Sequence, residues 1–163
     1  MQTTATPPTT AVRRWHAATL LLVALTMGLE FAHVLELGPR LGYPPELYLR
    51  VTNSLYYGFG TVGAVIYVGS IAAAGVLTWL VRRRRDVLVP VASALVAQAA
   101  ALVTWLTLIT PVNARFRALA PGEVPPDLNA LRDQWEYTHA LGFVLFAVAF
   151  LFLLGALLRK ADR

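Results

Sequence analysis

Two carboxylate–imidazole pairs stand in this chain at the same spacing: Glu30 with His33, and Glu136 with His139. Residues three apart share one face of a helix, so each pair can present an acid and an imidazole together. An imidazole beside a carboxylate can accept a proton near neutral pH, while the carboxylate orients the ring and stabilises its cation. The same residues are metal-ligand types. Two His and a carboxylate with open positions suit a non-haem iron. Soluble di-iron bundles use two Glu-x-x-His helices plus a Glu from each of the other two. Here the other two apolar runs supply no Glu. The residues therefore point to no cofactor, or to a single metal on His33, His139, Glu30 and Glu136, rather than to a di-iron cage. Haem with His33 and His139 as axial ligands is the less supported option.

What must position these residues is a membrane bundle. Hydrophobic residues make up 57% of the 163 and charged residues only 14%, about half the charged share of a soluble domain. There are no cysteines, which excludes disulfides, thiolate metal sites and Cys-x-x-Cys chemistry. Four apolar runs, at roughly 15–37, 56–81, 87–110 and 137–158, are each near the ~20 residues that span a bilayer. The first is too long for a signal peptide and lacks a small-x-small cleavage site, so it reads as a retained anchor. Residues 1–12 are polar and Pro/Thr-rich and read as a disordered tail. Residues 13–163 form one domain, an all-α, integral membrane, up-down-up-down four-helix bundle.

Basic residues set the expected orientation. Arg13, Arg14, Arg82 to Arg85, Arg159, Lys160 and Arg163 fall on one side, and five arginines fall on the other. By the positive-inside rule both termini are cytoplasmic and the protein belongs in the inner (plasma) membrane. The net charge of +5 follows this topology and needs no nucleic-acid partner. Thirteen of the fourteen basic residues are Arg, as in GC-rich bacterial coding. The loops 38–55 and 111–136 then face outward. "YPPELYL" and "VPPDLNAL" place Pro and an acid where a helix should begin, so helices two and four are expected to start near Pro45 and Pro126.

Depth gathers the polar residues. Glu30 lies about 22 Å along the first helix from Trp15 at ~1.5 Å per residue, in the outer half of the bilayer. Helix four runs the other way, so Glu136 and His139 enter at the same level. Asn53, Tyr56 and Tyr57 open helix two there, Asn113 closes helix three, and Trp135 precedes helix four. These five are the expected substrate-binding residues around a catalytic group of Glu30, His33, Glu136 and His139. An intramembrane charge is by default a functional hypothesis. The competing reading is a hydrogen-bonded network that pins the outer helix ends, at ~0.6–2 kcal/mol per contact. Glu36 reads as reaching headgroups, His16 as interfacial, Tyr137 and Trp135 as belt aromatics, and Gln98 as the mid-membrane polar exception. Gly58, Gly60, Gly63 and Gly69 read as packing glycines that let backbones approach.

"TPVNARF" closing helix three, a polar loop, and "RDQWEYTH" opening helix four resemble the small four-helix membrane proteins grouped as anthrone oxygenase-like, many bacterial members of which have no known function. The resemblance spans nearly the whole chain by span count and loop length. Its specific part is Pro111-x-Asn113 and Trp135-x-x-x-His139, and it implies that Asn113, Trp135 and His139 are the family's polar residues. The family often carries Arg three residues after that His, where this chain has Gly142. The implied activity is oxidation of an anthrone to an anthraquinone without an obvious dedicated cofactor. The alternative is a non-enzymatic small-molecule binder or accessory membrane protein.

Overall fold

The computed structural model describes residues 10–161, apart from the side chains of Tyr57 and residues 159–161. It is helical throughout, with no strand among the described residues. α1 spans Thr10–Leu41, α2 Pro45–Ser54 and α3 Tyr56–Val81. A rod follows, made of α4 (Arg85–Thr104), one π-helical turn (Trp105–Ile109) and α5 (Thr110–Arg117). α6 covers Leu128–Ala161. Four helices are long and apolar enough to cross a membrane: Thr10–Leu41, Gly58–Val81, Arg85–Arg117 and Leu128–Leu158. The chain is a multi-pass membrane protein in build. Its large apolar side chains lie outside as well as inside, with Leu21, Leu35, Val65, Val96 and Leu151 all exposed on the flanks.

The helices are longer than the apolar runs from which they were inferred. α1 has 32 residues, about 48 Å at ~1.5 Å per residue, against a hydrocarbon core of ~30 Å. Residues 10–12 of the expected tail are helical, and residues 1–9 lie outside the described part. α1 also runs through Pro39 to Leu41, where the Gly42 N–H donates to the Pro39 carbonyl and closes the turn. The two expected outer loops are largely helical, leaving only 42–44 and 118–127 as true connections around α2 and α5. Both Pro-Pro start signals hold. Pro44 precedes α2, with Pro45 in its first turn and Glu46 beside it. α6 begins at Leu128, just after Pro126.

The four long helices form a ring. α1 packs on α3 and α6, and α4 packs on the same two, as antiparallel neighbours joined by short links should. Two apolar clusters hold the ring together. Toward the 82–84 turn the core is mainly aliphatic, with Val23, Leu77, Val91, Leu153 and the small residues Ala94, Ala97, Ala101 and Ala149 beside Phe146 and Tyr67. Those alanines supply the close approach expected of glycine. A Cβ built on Gly58, Gly60 or Gly69 would meet nothing within 4 Å, and one on Gly63 would meet only the Leu29 side chain at 3.5 Å. The α3 glycines therefore do not mediate tight packing. At the other end, which carries α2, the core is aromatic: Tyr48, Tyr56, Phe116 and Trp135 with Ile109 and Val112.

The π turn has a local cause. Pro111 has no N–H, so it cannot satisfy the carbonyl one turn earlier, and its ring crowds that carbonyl. The chain widens instead. The N–H and the hydroxyl of Thr110 both reach the Trp105 carbonyl five residues back, the hydroxyl at 3.2 Å. Such turns recur at functional sites because they redirect side chains. Here Trp105 and Thr110 are both turned onto a cavity.

Candidate active site

Between the two clusters lies a cavity of about 320 Å³. α1 contributes Glu30 and His33, α2 Asn53, α3 Tyr56, the rod Asn113, and α6 Trp135 and His139. Seven of the nine residues expected from sequence thus meet on one space. Tyr57 is the eighth, and its side chain lies outside the described part. The ninth, Glu136, does not line the cavity.

The two Glu-x-x-His pairs are exchanged across the bundle. Glu30 does not bond to its helix neighbour His33. Its Oε2 accepts from His139 Nδ1 at 2.7 Å. Gly142, one turn further along α6, makes this approach feasible. A Cβ there would lie 3.1 Å from the Glu30 Cδ and Oε2, tighter than a normal carbon contact of ~3.5–4.0 Å. The bond to Glu30 uses the N–H at Nδ1, which leaves Nε2 of a neutral ring as the acceptor. That Nε2 is buried and has no hydrogen-bond partner. His33 stacks on His139 with ring centroids 4.0 Å apart and a 33° tilt. Trp135 packs on both rings, at 5.0 Å from His33 and 4.3 Å from His139.

Glu136 belongs to a different group, one that sequence reading missed. Its Oε1 accepts from Arg40 Nε at 2.6 Å, with the side chains 0% and 1% exposed. Arg40 also donates from Nη2 to Thr52 Oγ1 at 2.9 Å. Its guanidinium lies 4.8 Å from the Tyr48 ring, 4.5 Å from Tyr56 and 4.8 Å from Trp135. A cation within ~6 Å of a ring face is attracted to it. Burial pushes the Tyr48 phenol above its ordinary pKa, with the Glu136 carboxylate adding to the shift, so the ring stays protonated beside the pair. This cluster ties α1, α2 and α6 together behind the cavity wall formed by Tyr56 and Trp135.

The expected metal set is not assembled. Among the described residues no group of three or more His, Asp or Glu is placed to hold a metal ion. Glu136 is taken by Arg40 and Glu30 by His139. The haem arrangement fits no better. Two imidazoles across one iron at ~2 Å each would hold their ring centroids about 6 Å apart, whereas these rings pack directly on each other at 4.0 Å and a 33° tilt.

The remaining walls are mostly apolar. Phe59, Tyr67, Leu102 and Trp105 line the cavity, and Gly60 and Gly63 leave room in it. Trp135 Nε1 donates to Asn113 Oδ1 at 2.8 Å, and Asn53 Nδ2 donates to the Phe116 carbonyl at 3.1 Å. Trp135 is therefore an interior residue and not a belt aromatic, while Tyr137 is exposed on the flank as expected. His16 is also interior. It is buried and its Nε2 donates to the Leu153 carbonyl at 2.8 Å. Gln98 is fully buried and donates to the Ala94 carbonyl of its own helix.

Arg40 had a readable signal. Positions 30, 33, 37 and 40 form one helical stripe, but the first apolar run stops near residue 37, which puts Arg40 in the expected outer loop 38–55. Gly142 likewise sits on the stripe 135, 139, 142, 146 of α6. No protein-family model, curated protein or solved structure matches this chain.

Proposed function

We propose that the protein is a membrane-embedded oxygenase of the anthrone-oxidising kind, acting on a flat aromatic substrate with His139 as general base. The observation that carries this reading is the Glu30–His139 pair at an aromatic-walled cavity, with His139 Nε2 left unpartnered. Glu30 holds the ring in the tautomer that can accept a proton and stabilises the cation once it forms. His33 and Trp135 fix the plane of the His139 ring by packing on it.

In the proposed reaction His139 Nε2 removes a proton from the activated methylene of an anthrone. The carbanion left behind is electron-rich and is oxidised by dioxygen, the co-reactant. The carbon bonds to dioxygen, the outer peroxide oxygen takes the proton back from His139, and loss of the remaining C–H proton with cleavage of the O–O bond releases water and leaves the carbonyl. One anthrone and one dioxygen give one anthraquinone and one water. The Arg40–Glu136 group serves as the structural clamp. The arginine asymmetry of the loops supports a plasma-membrane orientation with both termini in the cytoplasm and the cavity in the outer half of the bilayer.

The test is turnover of anthrone to anthraquinone, followed by absorbance with purified protein in detergent. His139→Gln and Glu30→Gln should each lower the rate by about 10²-fold or more, the typical contribution of a positioned base. Their melting curves should stay close to that of the unaltered protein. Unchanged turnover in a folded His139→Gln protein rejects the base assignment. Tight aromatic binding with no turnover leaves the protein as a small-molecule binder.

A further inference from the structure

The cavity lining has a chemical gradient. Its walls carry the rings of Tyr56, Phe59, Tyr67, Trp105 and Trp135 with His139 among them, while its end near the 118–127 loop carries Arg117 and Asn113. Arg115, two residues earlier, is satisfied by Asp127 at 2.6 Å. Among the described residues no carboxylate pairs with Arg117. The orientation of Asn113 is fixed by its neighbour. An indole N–H can only donate, so the amide oxygen must face Trp135. That leaves the Asn113 NH2 as a donor on a cavity it lines. A guanidinium and an amide NH2 that line one cavity, the guanidinium on an exposed residue without a carboxylate partner, are donors suited to an anion.

The levels can be counted. Asn113 and Trp135 touch across the bundle. Arg117 is one turn from Asn113 toward the loop, and His139 is one turn from Trp135 toward the interior. Arg117 and His139 are thus separated by about two turns, ~12 Å along the axis at ~1.5 Å per residue. A fused three-ring skeleton with a carboxylate at one end has the length to touch both.

We propose that the cavity selects a lipophilic aromatic acid, whose carboxylate is held by Arg117 and Asn113 while its far ring lies against His139. This names the substrate class of the site described above and rests on that reading for its chemistry. The anion site itself rests on the cavity alone. A neutral aromatic fits the same walls but leaves both donors without an acceptor. The hydrophobic body places the ligand in the membrane, and the charged end keeps it at the level of the headgroups.

The test is binding rather than turnover. Fluorescence titrations of the purified protein compare anthracene-2-carboxylate with anthracene-2-carboxamide, in phospholipid-free detergent and in phosphatidylcholine nanodiscs. The unaltered protein should bind the acid at least about tenfold more tightly than the amide in both media, the return expected for a charge-assisted contact. In Arg117→Gln that ratio should collapse toward one, and Arg117→Lys should retain part of it. Equal affinity for the two probes, a ratio unmoved by Arg117→Gln, or failure to bind either probe overturns the proposal. A preference seen in detergent and erased in nanodiscs also overturns it, because Arg117 then serves lipid phosphate. The oxygenase reading fails separately, through unchanged turnover in His139→Gln, and that result leaves the acid preference intact.

Discussion

Replacing Arg40 by Met should be among the most damaging single changes in the bundle. The substitution keeps a long, flexible side chain, so little volume is lost. What changes is charge. Glu136 would retain its carboxylate in a position 0% exposed, with its principal donor gone. Two charges ~4 Å apart at an effective dielectric of ~20 attract by about 4 kcal/mol. Removal of one partner of a buried pair costs ~3–5 kcal/mol. Contacts with three ring faces are lost as well, each worth ~0.5–2 kcal/mol, partly replaced by methionine packing on the same rings. A loss of about 4 kcal/mol in a chain of this size lowers the melting temperature by roughly 10 °C. The assay is thermal unfolding in detergent for Arg40→Met, Glu136→Met and the double variant. The double variant should recover at least about 2 kcal/mol relative to the sum of the singles, since it leaves no buried charge alone. An Arg40→Met protein melting within a degree or two of the original, or strict additivity in the cycle, would refute the clamp.

Three further outcomes follow from the geometry. Gly142→Ala places a methyl against the Glu30 carboxylate at 3.1 Å, which should push that carboxylate off His139; turnover should fall about tenfold or more with little change in melting, as expected when a base loses its orientation, and full activity would show the pairing to be dispensable. Gly60→Leu adds a side chain where a Cβ meets nothing within 4 Å, so it should fill cavity space, weaken aromatic probe binding and leave the fold intact; unchanged affinity would place the ligand elsewhere. Cysteines at Thr4 and Asp162 should resist an impermeant thiol reagent in intact cells while one at Glu123 labels, and labelling of both termini would invert the orientation.

The architecture was legible because lipid imposes simple rules. Four apolar runs and two Pro-Pro starts define a four-helix bundle and its register in depth. The convergence of Glu30, His33, Asn53, Tyr56, Asn113, Trp135 and His139 was legible for the same reason, since depth is fixed once the spans are known. Rotation about each helix axis was not. Depth and an i, i+3 spacing predict that Glu30 serves His33, because both lie on one face. They cannot show that the nearest imidazole is on the neighbouring helix, with a glycine opposite to admit the carboxylate. Arg40 was missed because the first apolar run stops near residue 37, while the helix itself continues to Leu41. The α3 glycines were misread because small residues serve two purposes in membranes, close packing and open space. Only the neighbours of each Cα distinguish them.

The exchange of the two pairs separates them by level, one pair at the cavity and one behind its wall. Glu30 reaches from α1 to His139 on α6, and Glu136 reaches from α6 to Arg40 on α1. The two links run in opposite directions between the same two helices, ten residues apart on α1. A slip of α1 against α6 by one residue, ~1.5 Å, would displace both pairs at once from the 2.6 and 2.7 Å contacts they make. The outer link is closed, with an arginine caged by Tyr48, Tyr56 and Trp135, and it fixes the register. The inner link lines the cavity and keeps one imidazole nitrogen uncommitted. Because the clamp sets the register, the Glu30–His139 distance does not depend on that bond alone. Its loss in Glu30→Gln should therefore be a loss of orientation at an otherwise preserved site, whereas loss of Arg40 should loosen the site and the bundle together.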